Sequence, residues 1–136
     1  MFSTVNYTLT GNVETLVLQG TGNLSGTGNA LNNTIHGNDG NNTLNGGAGA
    51  DVLVGHAGND TFVFNVGQAN GDAVFDFDGQ GAATGDSLRF VGYGPGATFT
   101  QNDATHWQIN YNGGTAHEII TFSNAASIHA SDFVFV

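Results

Sequence analysis

The sequence predicts an all-β fold, a right-handed parallel β-roll (β-helix) of nonapeptide repeats capped by C-terminal antiparallel strands. Two observations carry that prediction. Between Gly28 and Val63 the chain repeats every nine residues, as GNALNNTIH, GNDGNNTLN, GGAGADVLV and GHAGNDTFV. Each unit joins a Gly-rich, Asn/Asp-bearing turn to one large apolar residue at its eighth place. From Ala97 onward, runs rich in aromatic and β-branched residues alternate with turns, the pattern of antiparallel hairpins.

In each repeat the first six residues must turn tightly enough for glycines to take positive φ, and the last three extend with the central side chain inward. A strand followed by a turn only reverses the chain, so two units make one coil and equivalent places stack every eighteen residues. Ile35 is therefore expected beneath Leu53, and Leu44 beneath Phe62. The same arithmetic stacks the sixth places, Asn33 with Asp51 on one edge and Asn42 with Asp60 on the other.

Carboxylates and turn carbonyls stacked at a strand spacing of ~4.8 Å repel one another unless a cation sits between them. An all-oxygen, glycine-lined edge suits Ca²⁺, which takes six to eight oxygens in flexible geometry; Mg²⁺ wants a stricter octahedron and transition metals want nitrogen or sulfur. The expected calcium ligands are Asp51 and Asp60, with Asn33 and Asn42 as weaker partners. The turn residues Gly37, Asp39, Gly46, Ala48, Gly55 and Ala57 complete the set.

Composition narrows the function classes. At 136 residues the chain is read as a single structural domain. Eleven acids face one base, Arg89, for a formal charge of −10. Such a chain repels phosphate backbones and anionic lipid, so neither nucleic acid nor membrane insertion is expected. With no Cys there are neither disulfides nor thiolate metal sites. Met1 to Thr10 has neither the basic start nor the apolar run of a signal peptide.

The segment Gly28 to Phe64 resembles the RTX (hemolysin-type calcium-binding) repeats of serralysin-type metalloproteases, mannuronan C5-epimerases and type I-secreted lipases. Val5 to Thr27 is similar to the degenerate units that lead into such arrays; with Leu24 at the sixth place it should bind no calcium, and Val13, Leu16 and Leu18 should add strands to the roll. GDAVFDF (Gly71 to Phe77) and GDSLRF (Gly85 to Phe90) are similar to the segments that close the roll in the serralysin group. On that resemblance Asp72 and Asp86 would bind a terminal calcium, while Asp76 and Asp78 are equally open to capping a turn. The last residues, SDFVFV, look like the uncleaved C-terminal secretion signal of type I exporters, and also suit an ordinary closing strand.

The expected organisation is thus a roll over residues 1–66, with degenerate repeats in 1–27 and calcium-binding repeats in 28–63. A roll-closing segment, antiparallel cap and C-terminal secretion signal fill 67–136, and Trp107, Tyr111, Ile119 and Phe122 are expected as the cap's core. The resemblance implies a calcium-binding module of a larger secreted, extracellular protein, which contacts a type I exporter in transit and folds on calcium outside the cell. The alternative is a carbohydrate-binding module for polysaccharide, with Trp107, Tyr93 and Tyr111 stacking on sugar rings if exposed. Catalysis is not expected: His36, His56, His106, His117 and His129 form no HExxH and no partner set for a nucleophile.

Overall fold

The computed structural model describes residues 1–81 and 84–136. Two sheets face each other across one core. The first contains β1 (Phe2–Ser3), β3 (Thr15–Leu18), β5 (Thr34–His36), β7 (Val52–Val54) and β9 (Ala73–Val74), followed by β13 (Ala116–Phe122), β12 (His106–Tyr111) and β11 (Thr98–Gln101), in that spatial order. The second is β2 (Tyr7–Thr8), β4 (Ser25–Thr27), β6 (Thr43–Asn45), β8 (Thr61–Asn65), β10 (Ser87–Val91) and β14 (Phe133–Phe135), all parallel. Up to β10, successive strands alternate between the sheets, so two units complete one coil, as a parallel β-roll requires.

The strands of the first three repeats are three residues long and bury only the central side chain, which is what a nonapeptide with one apolar residue can offer. In the fourth repeat β8 runs to five residues and buries Phe62 and Phe64. Register is as the period demands, with Ile35 opposite Leu53 and Leu44 opposite Phe62. In the first sheet the inward column is Leu16, Ile35, Leu53, Val74 and Phe122. In the second, Leu44, Phe62, Leu88 and Phe133 stack, with Phe64, Phe90 and Phe135 alongside. Most of these are fully buried, and each such side chain is worth roughly 1.5–3 kcal/mol of transfer free energy.

Leu16 and Leu18 are buried in β3 as expected, whereas Val13 lies just outside that strand and is half-buried. Gly26 occupies the apolar column opposite Leu44. Any Cβ there would meet Leu16 Cδ2 at 3.1 Å and Ile35 Cγ2 at 3.2 Å, so neighbouring side chains already fill the space.

Parallel stacking continues beyond the last repeat. β9 and β10 are the next rungs of the two sheets, although 21 and 26 residues, rather than 18, now separate equivalent aspartates. β13 then pairs parallel with β9, and β14 with β10. The expected cap is thus bonded edge-on: β13, β12 and β11 form an antiparallel meander that extends the first sheet. Its core differs from expectation at one place. Strand parity turns Glu118, Ile120 and Phe122 inward and leaves Ile119 half-buried, so Ile120 takes the role expected of Ile119.

Candidate metal centre

Each sixth-place residue immediately precedes a strand, so the sheets fix its position as firmly as they fix the core. Asn33, Asp51 and Asp72 line one edge of the roll; Asn42, Asp60 and Asp86 line the other. All six are buried, with Asp60 at 0 % exposure. The ladder is held by one repeated bond. Asp51 Oδ1 accepts the backbone N–H of Asn33 at 2.7 Å, and Asp72 Oδ1 that of Asp51 at 2.9 Å. On the opposite edge Asp60 Oδ1 accepts from Asn42 at 2.7 Å, and Asp86 Oδ1 from Asp60 at 2.8 Å. Asp72 and Asp86 therefore continue the two ladders that the repeats begin.

The second carboxylate oxygens differ along each edge. Asp86 Oδ2 accepts the N–H of Asp78 at 2.9 Å. Asp51 Oδ2 and Asp60 Oδ2 are buried with no hydrogen-bond partner. An unpaired buried carboxylate oxygen is costly, and these two lie on opposite edges at equivalent places of consecutive units. Close beside them are the first-place glycines, since a Cβ on Gly46 would collide with Asp51 Oδ2 and one on Gly55 with Asp60 Oδ2. The carbonyl oxygens of Gly46 and Gly55 in turn approach Gly28 and Gly37 of the coil below. Gly37, Gly46 and Gly55 are buried and Ala48 is half-buried, whereas Asp39 and Ala57 lie on the exposed rim.

Asn33 and Asn42 are satisfied without help. Asn33 Oδ1 accepts the N–H of Asn29 at 2.7 Å, and its Nδ2 donates to Val13 O and to Asn29 Oδ1. Asn42 repeats the arrangement with Asn38, accepting its N–H at 2.6 Å and donating to its Oδ1 at 3.0 Å. An amide at the sixth place is thus tied to an amide at the second. Where the sixth place is Asp, the second is Gly47 or His56, and that bond is absent.

Electrostatics agree with geometry. Burial pushes the Asp60 carboxyl up to about 7 against the pull of the Asn42 N–H, with the charges of Asp86 and Asp76 adding to the rise. Asp72 is likewise raised to about 7, chiefly by burial, and Asp51 and Asp86 move in the same direction for the same reason. These groups resist ionisation unless a positive charge compensates them. Among the described residues no three His, Cys, Asp or Glu side chains converge on one point. An ion on either edge would have to take most of its oxygens from turn carbonyls, as Ca²⁺ readily does. The donor set fits that ion.

Several contacts had weak signals in the sequence. A second ladder runs along the fifth places: Asn23 Oδ1 accepts from Asn41, Asn41 Oδ1 from Asn59, and Asn32 Oδ1 from Ala50, all at 2.9 Å. Its signal is Asn at the fifth place of four units, Asn23, Asn32, Asn41 and Asn59. Asp76, open between roles, caps a turn by accepting the N–H groups of Gly55 and His56. Asp78 accepts from Gln80. Two of the three aromatic residues expected to meet sugar are packed inside. Tyr93 and Trp107 are 3 % and 9 % exposed, Trp107 stacks on Phe99, and half-buried Tyr111 meets Tyr93 edge-on. Burial withdraws Tyr93 and Trp107 from solvent, whereas Tyr111 keeps part of its surface exposed.

Comparison with known proteins agrees with the repeat register. No curated protein matches the chain. The family model for the RTX calcium-binding nonapeptide repeat matches in four copies over residues 27–62, the segment whose sixth places form the two ladders.

Proposed function

We propose that the chain is the calcium-dependent folding module of a larger secreted protein, that Asp51 and Asp60 are its principal calcium ligands, and that it orders outside the cell after passage through a type I exporter. The observation that carries this reading is the pair of buried, unpartnered oxygens, Asp51 Oδ2 and Asp60 Oδ2, on opposite edges of one array. Bound calcium would supply the positive charge that those carboxylates and the neighbouring carbonyls lack. Asp72 and Asp86 close the two ladders, Gly37, Gly46, Gly55, Asp39, Ala48 and Ala57 offer backbone oxygens, and Asn33 and Asn42 bring neutral amides.

Without the ion, a chain with a formal charge of −10 and 22 glycines meets strong self-repulsion and a large entropic cost on compaction. Each ion held only by the folded state adds ~2.7 kcal/mol at a hundredfold excess over Kd. Two such ions are comparable with the lower end of the ~5–15 kcal/mol stability of a typical domain. The proposed sequence of events is therefore a loose chain in calcium-poor cytosol and a folded roll in calcium-rich medium. Asp132 and the apolar Phe133 to Val136 double as the exporter signal and the last rung of the second sheet.

The test is circular dichroism during calcium titration, with magnesium as control, on the native chain, Asp51→Ala and Asp60→Ala. The expected result is a β signal that rises with calcium and shifts to higher calcium in both variants. A β signal already complete in chelator and unchanged by either substitution would refute the reading.

A further inference from the structure

On the outer surface of the first sheet, where β5 meets the turn that carries Gly55 and Ala57, two imidazoles meet. His36 Nδ1 lies 3.3 Å from His56 Nε2, and the rings are stacked at 21° with centroids 5.5 Å apart. They arrive from different places in the repeat. His36 ends β5, where register sets it opposite Val17 and Val54. His56 follows Val54 by two residues and stands where the preceding unit has Gly47, with φ of 71° in the left-handed region. That region is disfavoured for a side-chain-bearing residue and is held here by contacts around it. Asp76, from the next rung, fixes this stretch by accepting the N–H groups of Gly55 and His56 at 2.8 and 2.7 Å. Both rings are therefore mounted on immobilised backbone, His36 half-buried and His56 exposed.

We propose that His36 and His56 form a two-histidine site for a borderline transition-metal ion, of which zinc is the type, beside the turn of the Asp60 edge but chemically unlike the calcium ladders. Imidazole nitrogen is the ligand such ions prefer over the carbonyl and carboxylate oxygens of the ladders. Two nitrogens at ~2.0–2.1 Å from a tetrahedral zinc stand about 3.3 Å apart, which is the separation found. Among the described residues no third His, Cys, Asp or Glu joins them, so water would fill the remaining positions and the site would be open. Asp76 lies close enough to act on His36 electrostatically and supplies negative charge beside the pair.

The test is isothermal titration of zinc chloride into the calcium-saturated chain, with His36→Val and His56→Gly as variants and circular dichroism on the same samples. His56→Gly places a glycine where φ is positive, as Gly47 does in the preceding unit, and circular dichroism at saturating calcium checks that the fold is kept. The expected result is one saturable equivalent of zinc in the native chain, weakened at least about tenfold in each variant. Nitrogen NMR of the rings should place the shifts on His36 Nδ1 and His56 Nε2. No saturable zinc heat would mean that the two rings only share a proton, and would overturn the site. Zinc binding of equal strength in both variants would place the metal on His106, His117, His129 or the acidic edges, and would overturn it equally.

Discussion

The phenol of Tyr93 donates a 2.6 Å hydrogen bond to Glu118 Oε2, joining the segment after β10 to the inward face of β13. Glu118 is 3 % exposed, and its two oxygens also accept the N–H groups of Ala69 at 3.0 Å and Gly67 at 3.2 Å. This one carboxylate ties the loop that ends the repeat array to the antiparallel meander. Burial and the adjoining carboxylate hold the Tyr93 hydroxyl well above the ordinary phenol range, so it remains a donor.

Glu118→Ala should therefore leave three donors facing a cavity, at a cost of about 3 kcal/mol or more. Tyr93→Phe removes only one donor and should cost about 1–2 kcal/mol. Urea unfolding at saturating calcium measures both. Equal midpoints for the two variants would contradict the three-bond account.

Asp60→Asn tests why the ladders change from amide to carboxylate along the array. At Asn42 the amide nitrogen has Asn38 Oδ1 at 3.0 Å, but the corresponding second-place residue for Asp60 is His56, whose ring is turned to His36. The new amide would have no second-place partner and would withdraw the buried anionic oxygen from the calcium edge. The expected outcome is a calcium midpoint at least about tenfold higher, equivalent to ~1.4 kcal/mol. Asn42→Ala should shift that midpoint less. A reversed order would assign the main ligand to the amide.

The parallel roll and both sixth-place ladders were legible because a strict period of nine converts directly into stacking at eighteen. Ile35 against Leu53 and Asn33 beneath Asp51 follow from counting. Asp72 and Asp86 were reachable only through local motifs, since insertions lengthen the last rungs and no count predicts their register. Glu118 gave no such signal. Its partners Gly67 and Ala69 lie 51 and 49 residues away, and an acid in a strand reads as solvent-facing until the parity of that strand is known. The His36–His56 contact was hidden for another reason: the two residues hold the ninth and second places of their units, and only the left-handed turn at His56 brings the rings together.

The fourth-place glycines of the last two repeats should not tolerate a side chain. Gly58 has φ of 116°, and a Cβ on it would stand 2.6 Å from the carbonyl oxygen of Gly40 in the coil below; Gly49 has φ of 120° and would meet Leu31 O at 2.7 Å. Backbone strain of ~1–3 kcal/mol and a clash with backbone would act together in Gly58→Ala. Gly22→Ala, where φ is not positive and the nearest contact is Leu24 Cδ2 at 3.9 Å, should change stability by less than about 0.5 kcal/mol. Thermal unfolding in calcium separates the two, and similar losses would mean that the turns relax around a side chain.

Proton and calcium should compete for the same buried oxygens, which fixes the sign of the pH dependence. Asp60 and Asp72 rise from 3.8 to about 7 in the metal-free fold, mainly through burial, so the folded state binds protons more tightly than the unfolded chain. Stability contributed by these two groups is complete below their unfolded value of 3.8 and is lost as the pH climbs through about 7. Chelated chain should accordingly hold most of its β signal near pH 4 and lose it toward about pH 7. Calcium needs the ionised carboxylates, so the gap in β signal between loaded and chelated chain should widen over the same interval. A chelated profile that stays flat or rises would mean that Asp60 and Asp72 ionise in the fold without penalty, and calcium would then have no buried charge to relieve.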